Sequence, residues 1–402
     1  MSCKTIPVQR LVDRTLGRPL LLGNGLLFFD SSFKAPIFIS RNLVEVTPVL
    51  TAGTLPDKNM SNASIPFSIL DLAIIAEGRT IADAFHHSLH AAQAAERWGF
   101  NRYWLAEHHN SVGVGSAATS VLIGYIAQGT QTIRVGSGGI MLPNHSPYII
   151  AEQFGTLATL YPDRIDLGLG RAPGTDQLTA RAIGRQQSRV EEFPDDIRKL
   201  QTYFSKENAS SSVRAIPGEG LDIPIWVLGS SPDSARLAGE LGLPYAFASH
   251  FAPTHLFHAL DLYRKTFRPS SVLNKPYMMA AANVVVADTD EEANYLFTSV
   301  LQMFMGVITG KRQPLPPPVA DMDLMWDDLT RQAVLGMLAC SFAGSQERVK
   351  THIDSFVRQT GINELMITTN VYDQEARLNS LKLFSELMRT PVRNDGAGVA
   401  LS

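Results

Sequence analysis

The chain is poor in cysteine, in net charge and in long apolar runs, and each shortage excludes a class of protein. Its two cysteines, Cys3 and Cys340, lie far apart, which excludes a disulfide framework and is typical of a reducing compartment. A net charge of −3 gives no basic surface for nucleic acid or an anionic membrane. No apolar run approaches the roughly 18 residues of a membrane span. We therefore expect a soluble cytoplasmic protein without nucleic-acid or membrane partners.

The signatures of three common enzyme classes are also missing. Two glycine-rich segments, 136–141 and 168–173, begin like the dinucleotide fingerprint G-x-G-x-x-G, but Met141 and Pro173 stand where the last glycine would be. No G-x-S-x-G elbow indicates a hydrolase. No lysine follows a predicted strand, so Schiff-base chemistry lacks a nucleophile. The sequence thus predicts neither a dinucleotide site nor these covalent mechanisms.

The first 59 residues show little helical or strand periodicity. Arg10, Arg14 and Arg18 are spaced like those of a targeting helix, but Asp13 lies among them and no cleavage signature follows. We expect residues 1–59 to be an extension without a fold of its own, or to precede the native start at Met60. Residues 60–402 are then the folded domain.

From residue 66 onward, short apolar runs alternate with helical patterns, which predicts repeated βα units. Eight strands are predicted, at 67–73, 103–106, 133–142, 165–169, 224–228, 245–249, 278–286 and 365–369. Helices are predicted at 81–98, 115–127, 147–160, 233–241 and 291–305. This rhythm favours an α/β fold, a (β/α)8 TIM-type barrel with insertions. An open doubly wound sheet is the alternative, but it would need a G-x-G-x-x-G turn after its first strand.

Residues 306–326 form a long insertion late in the predicted barrel. The segment contains Pro314, Pro316, Pro317 and Pro318 and is too long for a plain connection. Long loops in compact domains are often lids or disordered segments. We predict a lid over the barrel mouth and keep disorder as the alternative.

Candidate catalytic residues follow the second predicted strand. His108 and His109 stand where a buried strand meets a loop, and histidine can exchange protons near neutral pH. The alternative is that a histidine there only bonds a backbone carbonyl. His86 and His90 are four apart on a predicted helix, but His87 replaces the glutamate of H-E-x-x-H. We therefore expect no metal site.

Candidate ligand-binding residues follow the next three strands. Gly138 and Gly139 leave the backbone bare enough to lie against a flat ring, although tight barrel packing would also require glycine. Arg171, after the fourth strand, is a candidate phosphate ligand because its guanidinium can donate two parallel hydrogen bonds. The helix start after the fifth strand, with Ser230, Ser231 and Ser234, is a second candidate. The alternatives are that Arg171 pairs with Asp176 and that Ser231 only caps its helix.

Residues 66–387 resemble the luciferase-like monooxygenases, a family of flavin-dependent barrels, and in particular a subgroup related to the alkanal monooxygenase α chain. Four segments carry the resemblance in order and spacing: WLAEHH at 104–109, VGSGGIMLP at 135–143, GLGR at 168–171 and WVLGSS at 226–231. The chain departs from the family at Gly170, where luciferase has a reactive cysteine, and at Ile74, where close relatives tend to have proline.

The resemblance implies a barrel that binds reduced FMN at its strand ends and uses O2 to oxidise a small organic substrate. It implies that His108 lies near the flavin and that a non-prolyl cis peptide at Gly138–Gly139 lies under the ring. Arg171, Ser231 and Ser234 match phosphate-contacting positions, with Ser230 beside them, and Arg189 is a looser match. A separate flavin reductase and a homodimer are the implied partners. Two alternatives stay open: an FMN-storage protein without turnover, and a hydride-transfer enzyme that uses F420.

Overall fold

The computed structural model describes residues 65–184 and 188–389, except for the side chains of residues 188 and 189. The predicted extension, residues 1–59, lies outside the described residues, and so does the side chain of Arg189. Within the described part, helices and strands alternate almost throughout. The predicted βα rhythm is thus present from the first strand onward.

Eight parallel strands close into a barrel. The ten strands are β1 Phe67–Asp71, β2 Arg102–Leu105, β3 Arg134–Ser137, β4 Ile140–Met141, β5 Ile165–Gly170, β6 Ile225–Gly229, β7 Tyr245–Phe247, β8 Met278–Val286, β9 Ser341–Gly344 and β10 Glu364–Thr368. The barrel runs β1-β2-β3-β5-β6-β7-β8-β10. It closes because β10 pairs with both β1 and β8. The TIM-type barrel prediction is confirmed.

Alternating side chains place each strand between two apolar layers. On β2, Tyr103 and Leu105 join the large cluster between the sheet and the helices. Trp104 points the opposite way, into the barrel interior with Leu70 of β1 and Trp226 of β6. A parallel strand covered on both faces must be apolar on both, which explains the near-continuous apolar runs in the sequence.

Twelve helices surround the barrel in the described part of the chain. They are α1 Ile81–Arg97, α2 Thr119–Gln128, α3 Pro147–Leu160, α4 Gln177–Ala182, α5 Ser188–Glu191, α6 Phe193–Phe204, α7 Pro232–Leu241, α8 Leu256–Thr266, α9 Asp290–Thr309, α10 Asp328–Met337, α11 Gln346–Thr360 and α12 Gln374–Arg389. Their starts follow local chemistry: α1 begins at a capping box, in which Thr80 and Asp83 satisfy each other's backbone N–H.

The predicted strand 133–142 is wrong in one respect, because the chain breaks it into β3 and β4. Gly136 pairs with Asp166 and Ile140 pairs with Leu169, so three residues of this segment face two of β5. The extra residue makes a bulge. The hydroxyl of Ser137 fills the gap, since it donates to the Gly168 carbonyl at 2.8 Å and accepts from the Gly168 N–H at 2.9 Å.

Other boundaries also differ from the prediction. The helix predicted at 115–127 begins only at Thr119, and α9 continues to Thr309, past the expected start of the insertion. Strand β9 has no predicted counterpart. It has only four residues and pairs with the last residues of β8 beside the barrel, outside the rhythm of eight.

Charged side chains fill the amino-terminal end of the barrel. Asp166 accepts from Arg102 at 2.7 Å, from Arg134 at 2.6 Å and from the Trp104 indole at 3.0 Å. Arg102 also bonds Glu364 of β10 at 3.1 Å. Both carboxylates are fully buried. This ion network ties β2, β3, β5 and β10 together beneath the apolar interior.

Candidate active site

The loops at the carboxyl-terminal end of the barrel bring the predicted site residues to one rim. Five loops contribute to it. Glu107, His108 and His109 follow β2, and Gly138 and Gly139 follow β3. Arg171 follows β5, Ser230 and Ser231 follow β6, and His250 lies shortly after β7. These strands are successive neighbours in the barrel, so their ends form one continuous arc. In a parallel barrel this is the end at which ligands bind.

A buried carboxylate, Glu107, organises the loops after β2 and β3. One carboxylate oxygen lies 2.8 Å from Nε2 of His109 and 2.9 Å from Nε2 of His145, and the other accepts from the Met141 N–H at 2.9 Å. Burial alone would raise the pKa of Glu107, but hydrogen bonds from His109 and His145 hold it down to about 2. At neutral pH Glu107 is therefore an ionised anchor for both histidines.

His108 has different neighbours from His109. Its backbone N–H donates to the Ser116 carbonyl at 3.1 Å, and one nitrogen of its ring bonds the Gly174 carbonyl. Burial lowers the pKa of His108 below its ordinary value; the Gly174 carbonyl opposes this shift and the charge of Arg312 adds to it. The ring is thus neutral at pH 7 and can hold or exchange a proton. His109, by contrast, is tied to Glu107.

Gly138 and Gly139 are joined by a cis peptide bond. A Cβ at Gly139 would come within 2.7 Å of the Gly168 carbonyl oxygen, and one at Gly138 within 2.6 Å of Leu70. Packing against β1 and β5 therefore requires glycine here, as the packing alternative held. The Gly139 direction points into the barrel wall and the Gly138 direction points into the barrel interior, towards Leu70 and Trp104, so packing does not prevent a flat ligand from lying on the rim side.

The phosphate candidates stand together on the arc. Arg171 is exposed directly after β5, and Ser230 and Ser231 follow the neighbouring strand β6. Ser231 caps the ten-residue helix α7, accepting from the Ser234 N–H at 3.4 Å. The Ser234 hydroxyl donates to the Ser231 carbonyl at 2.8 Å. Capping and anion binding are compatible, since a phosphate would meet the same positive end of the helix.

The first part of the proline-rich insertion, residues 310–319, lies beside this mouth and is held in place. Leu315 donates to the Ile75 carbonyl at 2.8 Å and accepts from the Glu77 N–H at 2.9 Å. Gln302 of α9 donates to the Pro317 carbonyl at 2.9 Å. The alternative of disorder is therefore wrong for these residues, whereas the lid stays a prediction; Arg312 of this segment lies close enough to His108 for its charge to act on the ring.

Sequence reasoning missed three residues of the site, Glu107, His145 and His250. Glu107 stood in the motif that drew attention to the histidines, but its central position in the hydrogen-bond network required the fold. His145 lies 38 residues away from Glu107, and no local pattern links them. His250 directly follows the predicted strand 245–249, so the rule that located His108 would also have located it.

Two kinds of feature are lacking among the described residues. No cluster of three or more His, Cys, Asp or Glu side chains in ranges 65–184 and 188–389 could hold a metal ion, and His86 and His90 lie on the outer helix α1. No helix of the described part combines the length and apolarity needed to cross a membrane.

The fold and its site define a barrel enzyme with a ligand mouth at the strand ends. The chain belongs to the luciferase-like monooxygenase family, whose profile matches residues 65–364. A luciferase-like monooxygenase of Escherichia coli (strain K12) is 51% identical over 325 residues, which cover 81% of this chain and 97% of the relative. An N-acetyl-S-alkylcysteine monooxygenase of Bacillus subtilis (strain 168) is 32% identical over 335 residues, 80% of this chain and 98% of the relative.

Solved structures show the same architecture. Apo-MsnO8 superposes with a TM-score of 0.76 at 32% identity, covering 81% of this chain and 99% of that one. Two distant structures share the fold alone. An FMN complex of the oxygenating constituent of 3,6-diketocamphane monooxygenase from Pseudomonas putida has a TM-score of 0.61 at 18% identity, covering 81% of this chain and 97% of that one. An F420-dependent secondary alcohol dehydrogenase has the same TM-score at 15% identity, covering 82% and 100%.

Proposed function

We propose that this chain is a flavin-dependent monooxygenase that uses reduced FMN and O2 to oxidise a small organic substrate. The observation that carries the proposal is the arrangement on one rim of a neutral histidine, a bare glycine backbone and a capped helix start next to an arginine. The relative named N-acetyl-S-alkylcysteine monooxygenase supports the monooxygenase reaction, and the FMN-bound neighbour supports the cofactor.

The residues on the rim fit FMN. Arg171 and the start of α7, with Ser230, Ser231 and Ser234, would hold the phosphate through a planar fork of donors and a helix N-terminus. Gly138 and Gly139 would lie under the ring, where their lack of side chains permits close approach. When bound, reduced FMN supplies the electrons that activate O2.

The protein's own part is positioning and proton handling. His108 is neutral at pH 7 because burial lowers its pKa, and one ring nitrogen bonds the Gly174 carbonyl. Its other nitrogen can therefore accept a proton from a reacting group and later return it. Glu107 fixes His109 and His145 and through them the two loops that flank His108. Residues 310–319 cover one side of the mouth and limit the access of water.

A separate flavin reductase would supply reduced FMN, because the chain has no nicotinamide fingerprint. Such a pair would work in the cytoplasm, which the scarcity of cysteine supports. FMN reduced by light should then sustain substrate oxidation with no second protein, whereas NADH or NADPH with oxidised FMN should not.

The test measures FMN binding, and the oxygen uptake that exceeds the spontaneous reaction of free reduced FMN with O2, for the wild type, His108→Ala and His109→Ala. We expect the fluorescence of FMN to be quenched when it binds the protein. We expect reduced FMN and O2 to give turnover that depends on the protein. His108→Ala should lower turnover by roughly 10²–10⁴-fold, the range of a lost acid–base group, with FMN affinity little changed. His109→Ala should have a smaller effect, since its ring acts through Glu107. FMN binding without turnover would favour storage, and binding of F420 alone would favour hydride transfer.

A further inference from the structure

A cavity inside the barrel, below the rim, has apolar walls and one histidine. Its wall includes Leu70, Trp104, Leu228, Met279, Met366 and His250, and Gly138 borders it. The indole N–H of Trp104 already donates to Asp166 at 3.0 Å. None of the described residues that line this cavity is a carboxylate, a lysine or an arginine. Whatever enters it meets hydrocarbon, thioether and one imidazole.

The imidazole of His250 has an unusual feature. Its Nδ1 is shut off from solvent and has no hydrogen-bond partner among the described residues, although the residue as a whole keeps some exposed surface. The ring is held at the edge of Phe251, with 4.8 Å between centroids. Since nearly all buried polar atoms in proteins are paired, an unpaired one at a cavity wall indicates a missing ligand group.

The backbone of His250 is fixed by a buried polar cluster. Asn283 of β8 donates to the His250 carbonyl at 2.6 Å and also contacts the Ser341 hydroxyl at 3.0 Å. Thr368 of β10 donates to the Asn283 amide oxygen at 2.8 Å. Side chains of three strands thus hold the His250 backbone in place. A residue that is already ordered loses little conformational entropy when a ligand binds.

We propose that His250 is the polar contact for an uncharged, largely apolar substrate whose single hydrogen-bonding group binds its Nδ1. That this ligand is a substrate rests on the proposed function. Burial, together with the nearby His108, lowers the pKa of His250 to about 3, so the ring is neutral at pH 7 and gives no countercharge to an anion. An ion without a partner in an apolar cavity is strongly unfavourable, which excludes charged ligands from this position.

The test uses three probes of similar shape on the full chain without added flavin, and again with FMN. Cyclohexanol carries one group that both donates and accepts, methylcyclohexane carries none, and cyclohexanecarboxylate carries a charge. Their dissociation constants are measured by saturation-transfer NMR for the wild type, His250→Leu and His250→Asn. His258→Leu, which removes an exposed histidine of α8, is the matched control. The Nδ1 shift of ¹⁵N-labelled histidine reports the contact directly.

We expect cyclohexanol to bind the wild type, to move the Nδ1 resonance and to lose about fivefold in affinity in His250→Leu, the effect of one hydrogen bond. His250→Asn should retain most of the affinity, and methylcyclohexane should bind His250→Leu at least as well as the wild type. The proposal would be overturned if His250→Leu lost affinity equally for cyclohexanol and methylcyclohexane, or lost none for cyclohexanol. It would also be overturned if the wild type did not bind cyclohexanol, or bound cyclohexanecarboxylate tightly. A wild type that binds cyclohexanol through His250 but binds no FMN would instead overturn the proposed function.

Discussion

Hydrogen-bond partners, rather than burial alone, decide which buried side chains at the mouth carry a charge. Glu107 and His250 both lose water, yet Glu107 stays ionised because two histidines and a backbone N–H surround it. His250 has no such partner among the described residues and stays neutral. His108 is also held neutral by burial. These three side chains therefore give the mouth one fixed carboxylate and two uncharged imidazoles.

Replacing Glu107 by Gln should destabilise the fold by about 1–3 kcal/mol at pH 7, because buried donors lose a charged acceptor. The pKa of the folded state, about 2, lies below the ordinary value of 4.5, so this stability is present above pH 4.5. It is lost as the pH falls towards 2. Urea unfolding of both proteins at pH 7 and pH 3 should show the difference shrink. Glu240→Gln, an exposed change on α7, should leave the stability nearly unchanged at both pH values.

Gly139→Ala should destabilise the protein by about 1–3 kcal/mol, the usual cost of overpacking, because its Cβ would meet the rigid Gly168 carbonyl. Gly336→Ala is the matched control. It lies within α10 with nothing within 4 Å of the added Cβ, so the higher helix propensity of alanine should stabilise the fold by up to about 1 kcal/mol. Thermal unfolding distinguishes the two, and equal melting temperatures for both variants would contradict the packing argument.

At the scale of elements, side-chain hydrogen bonds join neighbouring strands where backbone pairing is interrupted or absent. The bulge between β3 and β4 interrupts the backbone ladder with β5, and the Ser137 hydroxyl restores the link by bonding the Gly168 backbone. At the barrel floor, Asp166 of β5 serves Arg102 of β2 and Arg134 of β3 at once. Such contacts fix the order of strands and leave the opposite end available for ligands.

Asp166→Ala should therefore lower the free energy of unfolding by about 3–5 kcal/mol, because it removes a buried carboxylate that two guanidinium groups and an indole share. Asp195→Ala removes an exposed ion pair with Arg198 on α6 and should have almost no effect, because such pairs contribute little. Urea denaturation followed by circular dichroism compares them. A loss for Asp166→Ala no larger than that of the control would show that the network is not structural.

At the scale of the whole molecule, one outer surface is unusually apolar. Val121 and Tyr125 lie four apart on α2 and are 70% and 38% exposed, and Ile149 of the neighbouring α3 is 46% exposed. Helix α2 carries no charged residue. Apolar patches of this kind often mark protein–protein contacts. We propose that α2 and α3 form the interface of a homodimer.

Sedimentation equilibrium should then give about twice the chain mass of 43.9 kDa for the wild type. Val121→Asp should raise the dissociation constant at least tenfold by placing a charge in the interface. Leu178→Asp on α4, at 72% exposure, is an equally exposed apolar residue and should leave the dimer intact. A monomeric wild type would refute the interface.

The barrel could be predicted from the sequence because periodicity is local. Eight apolar runs separated by helical patterns require parallel pairing, and all eight predicted runs became barrel strands. Strand β9 escaped prediction because four residues beside a complete barrel carry no periodic signal. Residues directly after strands, such as His108, Gly138 and Arg171, could be assigned to one rim because parallel strands share their carboxyl ends.

The sequence by itself determined the number of barrel strands, their direction and therefore which loops surround the mouth, since these depend on short-range patterns and chain connectivity. Only the tertiary structure decided that Glu107 binds His109 and His145, that residues 310–319 pack beside the mouth, and that Nδ1 of His250 lies at a cavity wall without a partner. These features depend on distances between residues that are remote in the chain. The charge of a side chain follows from such neighbours, so it becomes readable only once the fold has brought them together.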